Sequence, residues 1–311
     1  MGGEPARAGE GVVGLDDRMT AAATRAPAVP RAGREKRRTS WLLLPAAAVV
    51  LVFFFYPLAV ILWRSFAEPS FGIGNYLAVL GDEVQLRVLL RTLRTALIIT
   101  AATLVIGYPY AYAMTLVGRR ARSLLTLLVL MPFWTSLMAR NFAWYVLEQR
   151  GGVLDKALSA IGFDGVVLLG SVAGVTVAMV QVMLPFMVLP LQSSMLGIDR
   201  TLLHAASSLG ARRPIAFLRV YLPLSMPGVL AGVSVVFIMS LGFYITPALL
   251  GTPQQALVAQ VIGTQVNDLL DFAGAGALGT ILLVVTLVVL AVLGRVAAPL
   301  GTSAAGGAGR G

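Results

Sequence analysis

The stretch GIDRTLLHAASSLGARRPIAFLRVYLPLSM, residues 197–226, is the one loop of this chain with an architecture of its own. Asp199 is placed to cap a helix N-terminus, where a carboxylate accepts from backbone N–H groups that have no intrahelical partner. Leu202, Ala206 and Leu209 follow at i, i+4 and i+7 and predict one apolar stripe. Gly210 stands where a left-handed residue stops a helix. Arg212 and Arg213 lead into Pro214, which suits the first position of a second helix. That helix carries Ile215, Leu218, Tyr221 and Leu222, and Pro223 is expected to end it. A passive connector has no need of two short amphipathic helices. They predict docking, either into a groove of another protein or onto a membrane surface.

Outward from this loop, the chain consists of long apolar runs. Of its 311 residues 58% are hydrophobic and 12% charged, against roughly 45–50% and 25% in soluble domains. This excludes a disordered chain, a coiled coil and an ordinary water-soluble globule. A bilayer core asks for ~20 apolar residues as helix. Suitable runs occupy residues 41–63, 95–117, 123–147, 165–196, 227–250 and 274–293, the third containing Arg140. The prediction is an all-α integral membrane protein with six transmembrane helices. The first run starts after 40 residues and is too long for a cleaved signal peptide, so it reads as an uncleaved anchor. The expected organisation is a disordered basic leader over 1–40, a six-span domain over 41–299 and a flexible tail over 300–311. With no cysteine and a single histidine, a thiolate or multi-histidine metal site is excluded, and no metal is expected.

The net charge of +10 is distributed by topology. Seventeen Lys and Arg fall in the leader, the 118–122 loop, the 197–226 loop and the tail, against six (Arg64, Arg87, Arg91, Arg94, Arg150 and Lys156) in the opposite set of connections. The positive-inside rule then makes both termini cytoplasmic. The charge needs no nucleic acid to explain it, and the partner it implies first is the lipid bilayer itself.

The 197–226 loop also carries a resemblance. His204-Ala205-Ala206, three residues, Gly210, nine residues, Val220, one residue, Leu222-Pro223 resembles the EAA loop of binding-protein-dependent ABC importer permeases, in spacing and in its place between spans four and five. His204 stands where that family has Glu, and Val220 where it has Ile. Gly107-Tyr108-Pro109-Tyr110-Ala111, Met131-Pro132-Phe133-Trp134-Thr135, Leu184-Pro185-Phe186-Met187 and residues 244–251 (YITPALLG) are similar to the spermidine/putrescine permease subfamily. Permeases for phosphonates, opines and ferric ions share many of these segments. The likeness covers about residues 41–295. It implies the type I importer permease architecture in a bacterial inner membrane. The implied role is import of a small solute, a polyamine in first place, by alternating access. His204, Ala205, Ala206, Gly210, Arg212, Arg213, Leu222 and Pro223 would couple the membrane part to an ATPase.

The same resemblance implies its partners: two copies of a cytoplasmic ATP-binding subunit, a second and related permease chain, and an extracytoplasmic solute-binding protein. The chain has only two lysines, Lys36 after Glu35 and Lys156 after Asp155, so a G-x-x-x-x-G-K-[ST] phosphate loop is impossible. No cofactor is expected in this chain. ATP and Mg belong to the partner subunit, and the chain is not expected to be an enzyme. A secondary transporter, an intramembrane enzyme and a membrane scaffold are the rivals. The first would want charged coupling sites at the midplane, which the spans lack. Arg212, Arg213 and Arg219 serve either as topology charges or as partners for acidic rims of the ATPase.

Trp134, Arg140, Asn141, Tyr244 and Thr246 are the candidates for the solute path. For Arg140 three readings stand: reaching to the outer interface, pairing with another subunit, or touching solute. The acids Glu148, Asp155, Asp164, Asp268 and Asp271 are expected as solvated loop charges or binding-protein contacts. Gly170/Gly174 and Gly228/Gly232 are small-xxx-small pairs expected to pack helices.

Overall fold

The computed structural model describes the backbone of residues 2, 3, 45, 48–68 and 70–305, and side chains as far as residue 295. The basic leader, Trp41 and residues 306–311 lie outside the described residues. Among the described residues all regular structure is helical. The chain divides into two compact units, residues 1–58 and 59–311. The described part of the first is the apolar beginning of helix α1 (Ala48–Ala67).

The second unit continues with α2 (Gly74–Gly81), α3 (Glu83–Leu116), α4 (Arg119–Trp134, ending in a 3₁₀ turn), α5 (Leu137–Glu148) and α6 (Val153–Ala160). It then forms α7 (Val172–Leu196), α8 (Thr201–Ser208), α9 (Arg213–Leu241), α10 (Ile245–Leu250), α11 (Val258–Asn267) and α12 (Phe272–Ala305). Among the described residues five helices, α1, α3, α7, α9 and α12, are long and apolar enough to cross a membrane. Helix α4 and the segment Leu137–Ala160 meet that test only as a pair bent by 97°, a broken span or a re-entrant loop, which makes five spans or six.

Helix α7 is apolar on every side and occupies the centre, between α3 and α9. Met179, Met183, Met187 and Met195 recur on it at multiples of four residues and are all buried. Glycines bring the neighbours close. A Cβ on Gly107 of α3 would lie 2.9 Å from Met187 Cγ, and one on Gly232 of α9 would lie 2.8 Å from Met187 Sδ. At Gly228 a Cβ would meet Ser194 Cβ at 2.5 Å and the Pro190 carbonyl oxygen at 3.0 Å. The pair Gly228/Gly232 therefore packs helices, by letting backbones approach. Gly170 does not: it is a turn residue with φ +80°. Farther along the chain, α12 rests on α1 through Gly276, whose Cβ would meet the Ile61 carbonyl oxygen at 2.9 Å.

Several spans differ from their expected form. The second begins at Glu83 rather than 95, so Arg87, Arg91 and Arg94 lie in its helix and not in a connection, and the fourth begins at Val172 rather than 165. The third run, 123–147, is not continuous. Pro132 lacks the N–H that would bond to Leu128, and the chain turns extended at Thr135 and Ser136 before α5 begins. The fifth span starts at Arg213 rather than 227, because Pro223 does not end the second loop helix. A π-turn at Phe217–Tyr221 lies just upstream of Pro223 and lets the helix pass through it into the membrane part. It also stops at Leu241, with Gly242 at its C-cap, and Pro247 falls in the first turn of α10, where no N–H is needed. Helices α3 and α7 run unbroken through Pro109, Pro185 and Pro190. Helix α12 extends to Ala305, so the tail from residue 300 begins as helix.

Candidate functional site

The 197–226 loop folds as a short helix set on the base of a long one. The Asp199 carboxylate accepts from Thr201 N at 2.9 Å and opens α8, one residue earlier than the residue flanking that helix. The same bond holds the Asp199 carboxyl below the usual carboxylate range. The carboxylate thus stays ionised through that range, and the bond is lost only as pH falls below it. At the other end Gly210 has φ +85°. Its N–H donates to Ser207 O at 3.0 Å and the Ala211 N–H donates to Ala206 O at 3.0 Å. That is the paired 5→2 and 6→1 bonding of a Schellman motif. No atom approaches a Cβ built at Gly210, so the glycine is there for its backbone angle alone.

Side chains fasten this loop to the spans. Arg200 donates to the Thr115 carbonyl, and Arg122 donates to Met114 O at 2.9 Å. Two guanidinium groups thus satisfy the orphan carbonyls at the C-terminus of α3, where the helix dipole favours cations. Phe217 stacks with Tyr221 at 5.5 Å and meets Tyr112 edge-on at 5.4 Å. Tyr108 OH shares a 2.9 Å hydrogen bond with Ser225 Oγ. Within the motif at residues 107–111, Tyr108 seats α9 on α3, Gly107 admits Met187 of α7, and Tyr110 OH donates to Leu125 O of α4 at 2.8 Å.

What remains outward is a defined surface. Leu203 turns into the core, while Leu202 and Leu209 project, Leu209 being 90% exposed. The expected apolar stripe is therefore presented to the outside, with Ala206 half-buried beneath it. His204, Ala205, Arg212, Arg213 and Pro223 are exposed and Leu222 is half-buried. Among the described residues, Arg212, Arg213 and Arg219 make no ion pair.

The five solute-path candidates do not converge on one site. Arg140 Nη1 donates to Pro132 O at 2.5 Å, and Thr135 Oγ1 donates to the same oxygen at 2.8 Å. The arginine thus caps the first half of the broken span, a role that none of its three expected readings included. It also lines a cleft of about 440 Å³ with Thr135 and Gln181. Trp134 is exposed beside the break, and Asn141 is buried, donating to Leu137 O at 2.9 Å within its own helix. Tyr244 lines a second cleft, of about 480 Å³. Thr246 is fully buried.

Sequence reasoning missed several groups. Glu148, expected as a solvated loop charge, is only 2% exposed. It sits against the N-terminus of α7, where a Cβ on Gly174 would lie 2.5 Å from its Oε2. Among the described residues both of its carboxyl oxygens are buried without a hydrogen-bond partner. The signal was its spacing, i+7 from Asn141 on one face of α5. Gln181 was also missed; it accepts from Trp144 Nε1 at 2.7 Å and ties α5 to α7.

The sequence model for the binding-protein-dependent transport system inner membrane component matches residues 107–299. Over 229 residues the chain is 34% identical to the spermidine/putrescine transport system permease protein PotB of Escherichia coli (strain K12), covering 73% of this chain and 83% of that one. It is 29% identical over 219 residues to the inner membrane ABC transporter permease protein YdcU of the same organism, covering 63% and 70%. Among solved structures, the bacterial alginate ABC transporter in complex with an alginate pentasaccharide-bound periplasmic protein matches with a TM-score of 0.66 at 20% identity, covering 83% of this chain and 93% of that one.

Proposed function

The chain belongs to the family of binding-protein-dependent transport system inner membrane components, and from that premise we propose that it imports a polyamine such as spermidine or putrescine as one permease subunit of an ATP-driven complex. The observation that carries the coupling role is the Schellman-capped helix α8, exposed at its tip and fastened at its base to α3 and α9. Two copies of an ATPase bind ATP and Mg and close on each other. Their grooves receive α8, and the motion enters α9, which is continuous from the loop into the membrane. A second, related permease chain completes the path. A solute-binding protein delivers cargo to the face opposite α8. The Arg-rich connections support a cytoplasmic location for α8 and both termini.

Within this reading His204, Ala205, Ala206 and Gly210 shape the docking helix. Arg212 and Arg213 face acidic rims of the ATPase, and Leu222 and Pro223 form the root of the lever. His204 is exposed and its ring makes no hydrogen bond among the described residues. His204→Glu, which restores the residue the wider family carries, is therefore expected to keep transport within about twofold of wild type in a proteoliposome uptake assay. A loss of tenfold or more would show that the imidazole itself is required.

The polyamine reading is supported by the likeness to a permease named for spermidine and putrescine. A second reading keeps the same machine and gives it an anionic cargo such as a phosphonate; the Arg140 guanidinium lining the 440 Å³ cleft favours it. One experiment separates the two. The complete importer, reconstituted with its ATPase and binding protein, is offered radiolabelled spermidine, putrescine and a phosphonate. ATP-dependent uptake of the amines is expected. Uptake of the phosphonate alone, or uptake that runs on an ion gradient without ATP, would overturn the proposal.

A further inference from the structure

We propose that the cleft at the break between α4 and α5 is a docking site for the second permease chain, and that Arg140 in it pairs with a carboxylate of that chain; this rests on the reading above of an importer with two related permease subunits. Gln181 lines the cleft with Arg140 and Thr135. It stands nine residues from the N-terminus of α7 and fifteen from its C-terminus, roughly 14 Å and 23 Å at 1.5 Å per residue. Helix α7 is one of those long and apolar enough to cross a membrane, so Gln181 falls inside the ~30 Å hydrocarbon layer. Trp144 Nε1 donates to Gln181 at 2.7 Å and fixes α5 at that level. Arg140 lies one turn before Trp144 on the same helix. A guanidinium is thus held within the hydrocarbon layer on an open face of the chain, where a charge is costly unless it meets water or an opposite charge.

The chain itself satisfies only part of this arginine. Nη1 donates to Pro132 O, and Nη2, which is not buried, makes no hydrogen bond among the described residues. Around it Leu128, Met131, Ala139 and Ala143 make an apolar wall. Beside the cleft Trp134 and Phe142 are 70% and 68% exposed. Lipid tails would suit these apolar groups and leave the cation unpaired. Water would suit the cation and leave the aromatic rings exposed to it. A protein helix that brings one carboxylate suits both, as aromatic anchors enclosing a desolvated charge pair do at the centre of an interface. A second copy of this chain is the wrong partner. Among the described residues its acids lie at helix ends or in connections, and Glu148, at the end of α5, is buried. The carboxylate therefore comes from a different chain, on a helix that reaches the depth of Gln181.

The chain has no cysteine, so a single one can be placed in the cleft. Ala143 is exposed and lines it. The Ala143→Cys variant is assembled into the complete importer with the other subunits freed of cysteine, labelled with benzophenone maleimide and irradiated. An adduct with the second permease chain is expected, and its linked peptide should hold an Asp or Glu within about one helical turn of the linkage. An adduct with a second copy of this chain, with lipid alone, or with a peptide free of acids would overturn the proposal. So would an adduct abolished by a phosphonate, which makes the cleft a cargo site. Charge is tested separately. Arg140→Gln is expected to lower the second permease recovered with the affinity-tagged chain about tenfold, and Arg140→Lys by no more than about threefold. The amount of tagged chain in the membrane reports on folding. Equal losses in the two variants, or none beyond twofold in Arg140→Gln, would overturn the ion pair. If Arg140→Gln does not accumulate, the peptide linked at Ala143→Cys decides. A wild-type importer that purifies without a second permease chain would sink the two-subunit reading itself, before any variant is compared.

Discussion

Gly210→Val is expected to leave the protein folded and inserted while cutting ATP-dependent import at least tenfold, with ATP hydrolysis by the assembled complex continuing. Gly210 has φ +85° and no neighbour within reach of a Cβ. The damage is therefore confined to the backbone. A β-branched residue held at that angle costs about 1–2 kcal/mol. Helix α8 has only eight residues, and its C-terminus depends on the two bonds that this angle permits. Losing them frays the last turn, where Leu209 projects. The motion of the ATPase then meets a soft joint. Gly210→Asn separates this cause from any other, since Asn tolerates the left-handed region and is expected to retain most of the transport. Uptake and phosphate release measured side by side in proteoliposomes decide the matter. Wild-type uptake in the Val variant would refute the lever assignment.

Gly228→Val acts at the opposite extreme and is expected to deplete folded protein from the membrane. The new side chain would meet Ser194 Cβ and the carbonyl of Pro190, and the second of these is backbone that no rotamer change can move. The helices α7 and α9 must separate, and α7 is the centre of the packing. Overpacking of this kind costs about 1–3 kcal/mol, and more where backbone is in the way. The transition of the detergent-solubilised protein, followed by fluorescence-detected size exclusion, should fall by about 10 °C, or the monodisperse peak should vanish. Gly294→Val, at a position where nothing lies within 4 Å of a Cβ, is the control and should leave it unchanged. A stable Gly228→Val protein would mean that α7 and α9 are not in backbone contact.

The features that were legible in the sequence are those whose chemistry is local. Gly210 announced a left-handed stop three positions after Ser207, and it forms one. Asp199 announced a helix start; its carboxylate accepts from Thr201 N, but the N-cap position itself falls on Arg200. Hydropathy located the spans because lipid imposes length and composition together. Breaks within spans were hidden for the same reason: residues 131–136 are apolar or small and read as continuous. Pro223 misled, since a proline ends a helix unless a wider turn absorbs it, and the π-turn at Phe217–Tyr221 has no signature in composition. Glu148 lay beside Gln149 and Arg150 and looked like loop; only the partner helix α7 makes its burial possible. The cleft lined by Tyr244 joins Gln85 to Gln265, 180 residues apart in the chain, and no single-sequence pattern links residues so distant.

The methionines of α7 have one more consequence. Met187 receives a glycine from α3 and a glycine from α9, so three helices meet at a single unbranched thioether. Interlocked branched side chains resist sliding, because each ridge must leave its groove. A thioether with three soft torsions facing smooth glycine backbone offers little of that friction. The middle of this protein thus holds three helices in close contact around one side chain that can change shape without breaking that contact.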